Sequence, residues 1–162
     1  MRKRENLLIS WSARDIDLYI FPIIYDLSER FNIIIFVLNI DQKKSLIENL
    51  ETILKEGLIS EYFITPKKMH GFSFHYFMKK VTTSIKRYNI NLWACSSDMQ
   101  ITEKYISNTI SSNTKVICIC HTLASLFTRN PIIAKSFIYS LNYDSINLID
   151  QSAMKYLSRR KF

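Results

Sequence analysis

Short apolar runs alternate with longer stretches of helical periodicity along the whole chain. Asn6 to Ser10 reads as a first strand, followed by a polar turn from Trp11 to Asp15. Ile16, Tyr19, Ile20, Ile23, Ile24 and Leu27 then recur at the spacing of one helix face. Pro22 cannot continue an α-helical hydrogen-bond ladder, so the pattern predicts a regular helix beginning near it, with an extended lead-in before. A second strand, about 32–39, is apolar on both faces, which fits a central strand of a parallel sheet covered on both sides. Asp41 is placed to cap a helix in which Leu46, Ile47, Leu50, Ile53 and Leu54 form one stripe, and Gly57 supplies its stop. Glu61 to Pro66 gives a short third strand. A helix over about 73–88 follows, with Phe74, Phe77, Val81 and Ile85 on one side. The later elements are a strand at about 90–96, a helix at about 99–111, a strand at about 115–121, a helical stretch to about Tyr139, a strand at about 145–150 and a closing helix.

Strands that alternate with helices predict an α/β fold: one doubly wound, mainly parallel six-stranded sheet with helices on both faces, in the Rossmann-like manner. The order 3-2-1-4-5-6 is assigned by analogy with that class. At 162 residues, with 48% apolar and 22% charged residues, the chain fits a single domain spanning 1–162. Gly57 and Gly71 are the only glycines. No glycine-rich phosphate loop can be assembled from them, and no cofactor is expected.

The net charge of +8 is concentrated in three clusters: Arg2 to Arg4, Arg159 to Lys161, and the stretch holding Lys67, Lys68, Lys79, Lys80, Lys86 and Arg87. The remainder of the chain is net acidic. Such a stretch is either a solvated helix face or a contact for a polyanion or anionic membrane surface. Cys95, Cys118 and Cys120 fall in apolar runs and carry no C-x-x-C spacing. They read as reduced structural thiols of a cytoplasmic protein, and with the scattered His70, His75 and His121 they make no metal site. No apolar stretch is long enough for a membrane span, although peripheral contact with the inner face of a membrane is compatible with the charge.

In open α/β sheets ligands sit beyond the carboxyl ends of the strands, where the strand order reverses. Under the expected order, that crevice lies between the first and fourth strands. Ser10, Trp11, Ser12, Arg14 and Asp15 would line one side. Ser96, Ser97 and Asp98 follow the fourth strand, and His121 and Thr122 follow the fifth.

The opening strand with Ser12–Asp15, the helix with its early Pro22, and the closing pair of elements resemble the N-terminal half of GT-B glycosyltransferases. The last pair consists of Asp144 to Ile149 followed by Gln151-Ser152-Ala153-Met154-Lys155-Tyr156-Leu157. The resemblance implies the acceptor-side domain of a transferase for surface polysaccharide synthesis, with the nucleotide sugar held by a separate partner chain. It also implies that this domain alone is a split subunit or a truncated remnant. A sugar hydroxyl needs a base within hydrogen-bond reach, and His121 suits that role. A His after the fifth strand is familiar in glycerophosphate-transferring relatives, where Gly usually follows; here Thr122 does. Asp98 or Asp15 would orient His121 or replace it as base, and Arg14 would hold an anionic acceptor. Trp11 would stack on a sugar ring, and the basic stretch would meet lipid head groups bearing the acceptor.

Each of these residues also has a plainer reading. His121 could bond a loop carbonyl, Asp98 and Asp15 could cap helices, Arg14 could pair with Asp15 or Asp17, and Trp11 could be a half-buried loop aromatic. From another class, the charge and the 13% aromatic content are compatible with a non-catalytic module that binds nucleic acid or another polyanion. Against that alternative, the aromatics fall mostly at core positions.

Overall fold

In the computed structural model, which describes residues 4–38, 44–66, 71–95, 100–120 and 145–148, every strand pairing is parallel. Strand β1 (Glu5–Ser12) lies between β2 (Phe31–Leu38) and β4 (Leu92–Cys95). Outward from these lie β3 (Glu61–Ile64) on one side and β5 (Lys115–Cys120) and then β6 (Ser145–Leu148) on the other. The order β3-β2-β1-β4-β5-β6 is the one expected from the sequence. Parallel neighbours need a crossover, and helices supply it: α3 (Lys44–Lys55) after β2, α4 (Gly71–Tyr88) after β3 and α5 (Gln100–Ser107) after β4.

Alternation along the strands sorts the core into two layers. Leu8, Ile34, Phe36, Trp93 and Val116 share one face with Phe74, Met78, Val81 and Ile85 of α4 and Ile106 of α5. Leu7, Ile9, Trp11, Ile33, Ile35 and Val37 share the other with Ile16, Ile20 and Ile24 and with Leu46, Leu50 and Ile53 of α3. Ile33 to Val37 are all fully buried, because β2 has strands on both edges and helices on both faces.

The polar turn and extended lead-in expected between Trp11 and Pro22 are not found. Trp11 and Ser12 belong to β1, and the chain then turns at once into α1 (Ala13–Asp15), a π-helical turn (Ile16–Ile20), a 3₁₀ turn (Phe21–Ile23) and α2 (Ile24–Arg30). The physical reason is Pro22, which brings no N–H to a helical ladder. The backbone on either side adjusts its hydrogen-bond span: Phe21 N–H reaches Ile16, and Ile24 N–H reaches Phe21. This keeps Ile16, Ile20 and Ile24 inward, while Tyr19 and Ile23, expected in the same stripe, are exposed.

Two smaller differences lie in α4 and α3. In α4 it is Met78, fully buried, that completes the inner row with Phe74, Val81 and Ile85, and Phe77 sits half-buried at its edge. In α3, Leu54 is exposed, whereas the expected stop holds. Gly57 takes a φ of 75°, and Leu58 N–H closes onto the Ile53 carbonyl at 3.0 Å. Asp41, the helical stretch to Tyr139 and the closing helix lie outside the described residues, as do Asp144, Ile149 and Gln151 to Leu157.

Candidate functional site

The strand order reverses between β1 and β4. From β1 the chain passes to helices on one face of the sheet, and from β4 to α5 on the other. Helices departing to opposite faces leave a crevice at the carboxyl edge between these two strands. Register shapes its floor. Ser10 pairs with Cys95, the last residue of β4, and β1 runs on by Trp11 and Ser12, which pair with Val37 and Leu38 of β2. The last residue of β5 in the ladder with β4 is Cys118, and β5 likewise continues, to Cys120.

Ser12 and Asp15 stand at that edge and are coupled to each other. The Ser12 hydroxyl caps α1 by accepting from Asp15 N–H at 3.2 Å, and it donates to Asp15 Oδ2 at 2.8 Å. Asp15 is buried, at 7% exposure. A carboxylate held by one hydroxyl retains acceptor capacity on its other oxygen, which suits a ligand hydroxyl. The capping role weighed for Asp15 in the sequence falls to Ser12 instead: Asp15 precedes the π-helical turn but makes no side-chain cap hydrogen bond to it. Arg14, beside them, is exposed.

Two neighbours expected to line the crevice are interior residues instead. Ser10 is fully buried, and its hydroxyl accepts the Trp93 Nε1–H at 2.8 Å across the β1–β4 boundary. Trp11 is 4% exposed in the layer beneath α3, with its ring edge-on to Tyr19 at 6.4 Å. The strand continues through Trp11 where a turn was expected, and alternation sends the two side chains to opposite faces, both covered by helices. Ser96, Ser97, Asp98, His121 and Thr122 lie outside the described residues. Among the described residues, no three His, Cys, Asp or Glu side chains gather as a metal site.

The basic stretch divides. Lys67 and Lys68 lie outside the described residues, whereas Lys79, Lys80, Lys86 and Arg87 are exposed on α4. Lys80 and Arg87 sit two turns apart on one stripe, and Lys79 and Lys86 make a second stripe next to it. No described helix is long and apolar enough to cross a membrane.

Beside α4 runs a groove of about 650 Å³ that the sequence did not disclose, walled by β3 and by Tyr76, Phe77, Lys79, Lys80 and Arg87. One signal for it was present: Tyr76 and Lys80 stand four apart on a helix, and the ammonium lies 5.9 Å from the ring centre. At its inner end Ser84 Oγ donates to Glu61 Oε2. Burial raises the Tyr88 hydroxyl pKa, and the charge of Glu61 and a hydrogen bond to it add to the effect, with Arg87 opposing. The fold therefore favours the neutral phenol. That contribution is whole below the ordinary value of 10.0 and is lost as pH rises through the raised one. Tyr88→Phe should lose less stability than the parent between about pH 8 and pH 11, read as the shift in urea midpoint. An equal decline in both proteins would show that Tyr88 does not ionise against the fold.

The chain thus carries a Rossmann-like parallel α/β sheet with a polar carboxyl edge at its switch point. No protein-family model and no curated protein matches the sequence, so fold and geometry carry the functional argument.

Proposed function

We propose that this chain is the acceptor-side domain of a GT-B-type glycosyltransferase acting in surface polysaccharide synthesis. In this reading it works with a nucleotide-sugar-binding domain supplied by a partner chain. The observation that carries the reading is the coupled Ser12–Asp15 pair at the carboxyl edge, where the strand order reverses. Acceptor hydroxyls are bound by Asp15 and Ser12, and Arg14 meets an anionic acceptor group. His121, the residue immediately after Cys120 of β5, serves as base for the attacking hydroxyl, with Asp98 holding its tautomer. The exposed cations of α4 favour an acceptor anchored in an anionic membrane.

The test joins this chain to a nucleotide-sugar-binding domain supplied as a second chain and follows transfer of label from activated sugar or glycerol donors to a lipid-linked acceptor. Product should form only when both are present. His121→Ala should reduce turnover by about 10²-fold or more. Asp15→Asn should weaken acceptor use while keeping the cap, since the amide oxygen still accepts from Ser12. Unchanged rates in both variants, or no product from the pair, would defeat the reading. The nucleic-acid alternative predicts a strong, salt-sensitive gel shift with arbitrary single strands.

A further inference from the structure

We propose that the groove between β3 and α4 is a docking site for an extended acidic segment of a partner protein, which adds a strand to the open edge of β3. This inference is independent of the carboxyl-edge reading. β3 closes one side of the sheet: β2 pairs with it through Ile34 to Val37, and among the described residues no strand lies on its other side. An edge strand presents backbone N–H and C=O groups to any chain that lies alongside. The groove has the shape such a chain requires. All of Glu61, Tyr62, Phe63 and Ile64 line it. Successive strand residues point to opposite faces, so a pocket on one face would take every second residue. A groove that touches all of them runs along the edge, where main-chain pairing takes place.

The opposite wall sets the chemistry of the occupant. Lys79, Lys80 and Arg87 line it, and among the described residues none of these cations forms an ion pair. Glu61, the only acid among the described lining residues, is already engaged by Ser84. Tyr76, 58% exposed, and Phe77 give the same wall an apolar surface. An arriving strand sends alternate side chains toward that wall and away from it, so acidic residues at every second position would meet the cations while the backbone pairs with β3. The same charge disfavours a second copy of this chain. Pairing β3 with its own copy would bring two basic walls together in a protein of net charge +8.

The probe is a fluorescein-labelled decapeptide of alternating Glu and Val, titrated by fluorescence anisotropy at low salt. Saturable binding is expected, with slowed exchange at the alternate β3 amides that do not face β2. The triple variant Lys79→Glu, Lys80→Glu, Arg87→Glu should bind at least about tenfold more weakly; all three side chains are exposed, so the fold should persist. The same peptide N-methylated at every residue keeps its charge but has no N–H to give to an edge, and it should also lose at least about tenfold. Equal binding of the methylated peptide would reduce the groove to a polyanion surface and overturn the proposal. So would absence of peptide binding, tighter binding of a dT decamer that displaces the peptide, or a dimer of this chain that the triple variant dissolves.

Discussion

Ile35→Asp should abolish cooperative folding. Ile35 is fully buried on β2, the strand flanked by β1 and β3 and covered by helices on both faces. It belongs to the layer with Ile9, Leu46 and Leu50 and has no route to water. An ionised carboxylate there costs far more than the roughly 5–15 kcal/mol that separates folded from unfolded domains. Protonation does not rescue it, because the neutral acid still leaves polar atoms unpaired and removes apolar contacts worth about 2–5 kcal/mol. Ile35→Val keeps the packing and should cost only about 0.5–1.5 kcal/mol. The informative control is Ile23→Asp. Helical spacing in the sequence puts Ile23 in the same inward stripe as Ile24, but the structure leaves it 44% exposed. The change should therefore fall within about 1 kcal/mol of the parent. Far-UV circular dichroism and urea midpoints decide the matter. A folded Ile35→Asp protein, or an unfolded Ile23→Asp one, would place β2 or the turns around Pro22 wrongly.

That control marks where the sequence was legible. β2 announced itself because an unbroken apolar run from Ile33 to Leu38 suits only a strand buried on both faces. Alternation with helices then fixed parallel pairing, since such neighbours need crossovers. The carboxyl edge followed from strand order alone, and with it the placement of Ser12 and Asp15. Periodicity failed around Pro22 because a π turn and a 3₁₀ turn change the residues per turn, and a fixed helical spacing then assigns Tyr19 and Ile23 to the wrong side. It failed at Ser10 and Trp11 for a different reason. The strand was read as ending at Ser10 although it runs on to Ser12, and Ser10 was placed on the crevice because the partner of its hydroxyl is 83 positions away. The β3–α4 groove was hidden similarly, because an edge strand and the helix wall beside it are brought together only by the sheet.

The hydroxyl of Ser10 leads to the other large expected effect. Trp93 is fully buried, and Trp93→Ala should cost about 3–5 kcal/mol through the cavity it leaves. The hydrogen bond is separable from that bulk. Leu8 is the register partner of Trp93, so the indole reaches diagonally to Ser10, two residues further along β1. Trp93→Phe retains most of the volume but strips the Ser10 hydroxyl of its donor, while Ser10→Ala leaves the indole N–H buried without an acceptor. Each should cost about 1–3 kcal/mol. With both changes made, no polar atom is stranded, and the double variant should be more stable than the sum of the single losses predicts, by about 0.5–3 kcal/mol. Urea denaturation of the four proteins closes this cycle. A coupling of that size means that Ser10 is kept polar to lock β1 against β4 at the point where the two strands part. Ser12 and Asp15 stand just beyond that lock along the chain. Losses that simply add would instead leave the joining of β1 to β4 at this point to the backbone ladder alone.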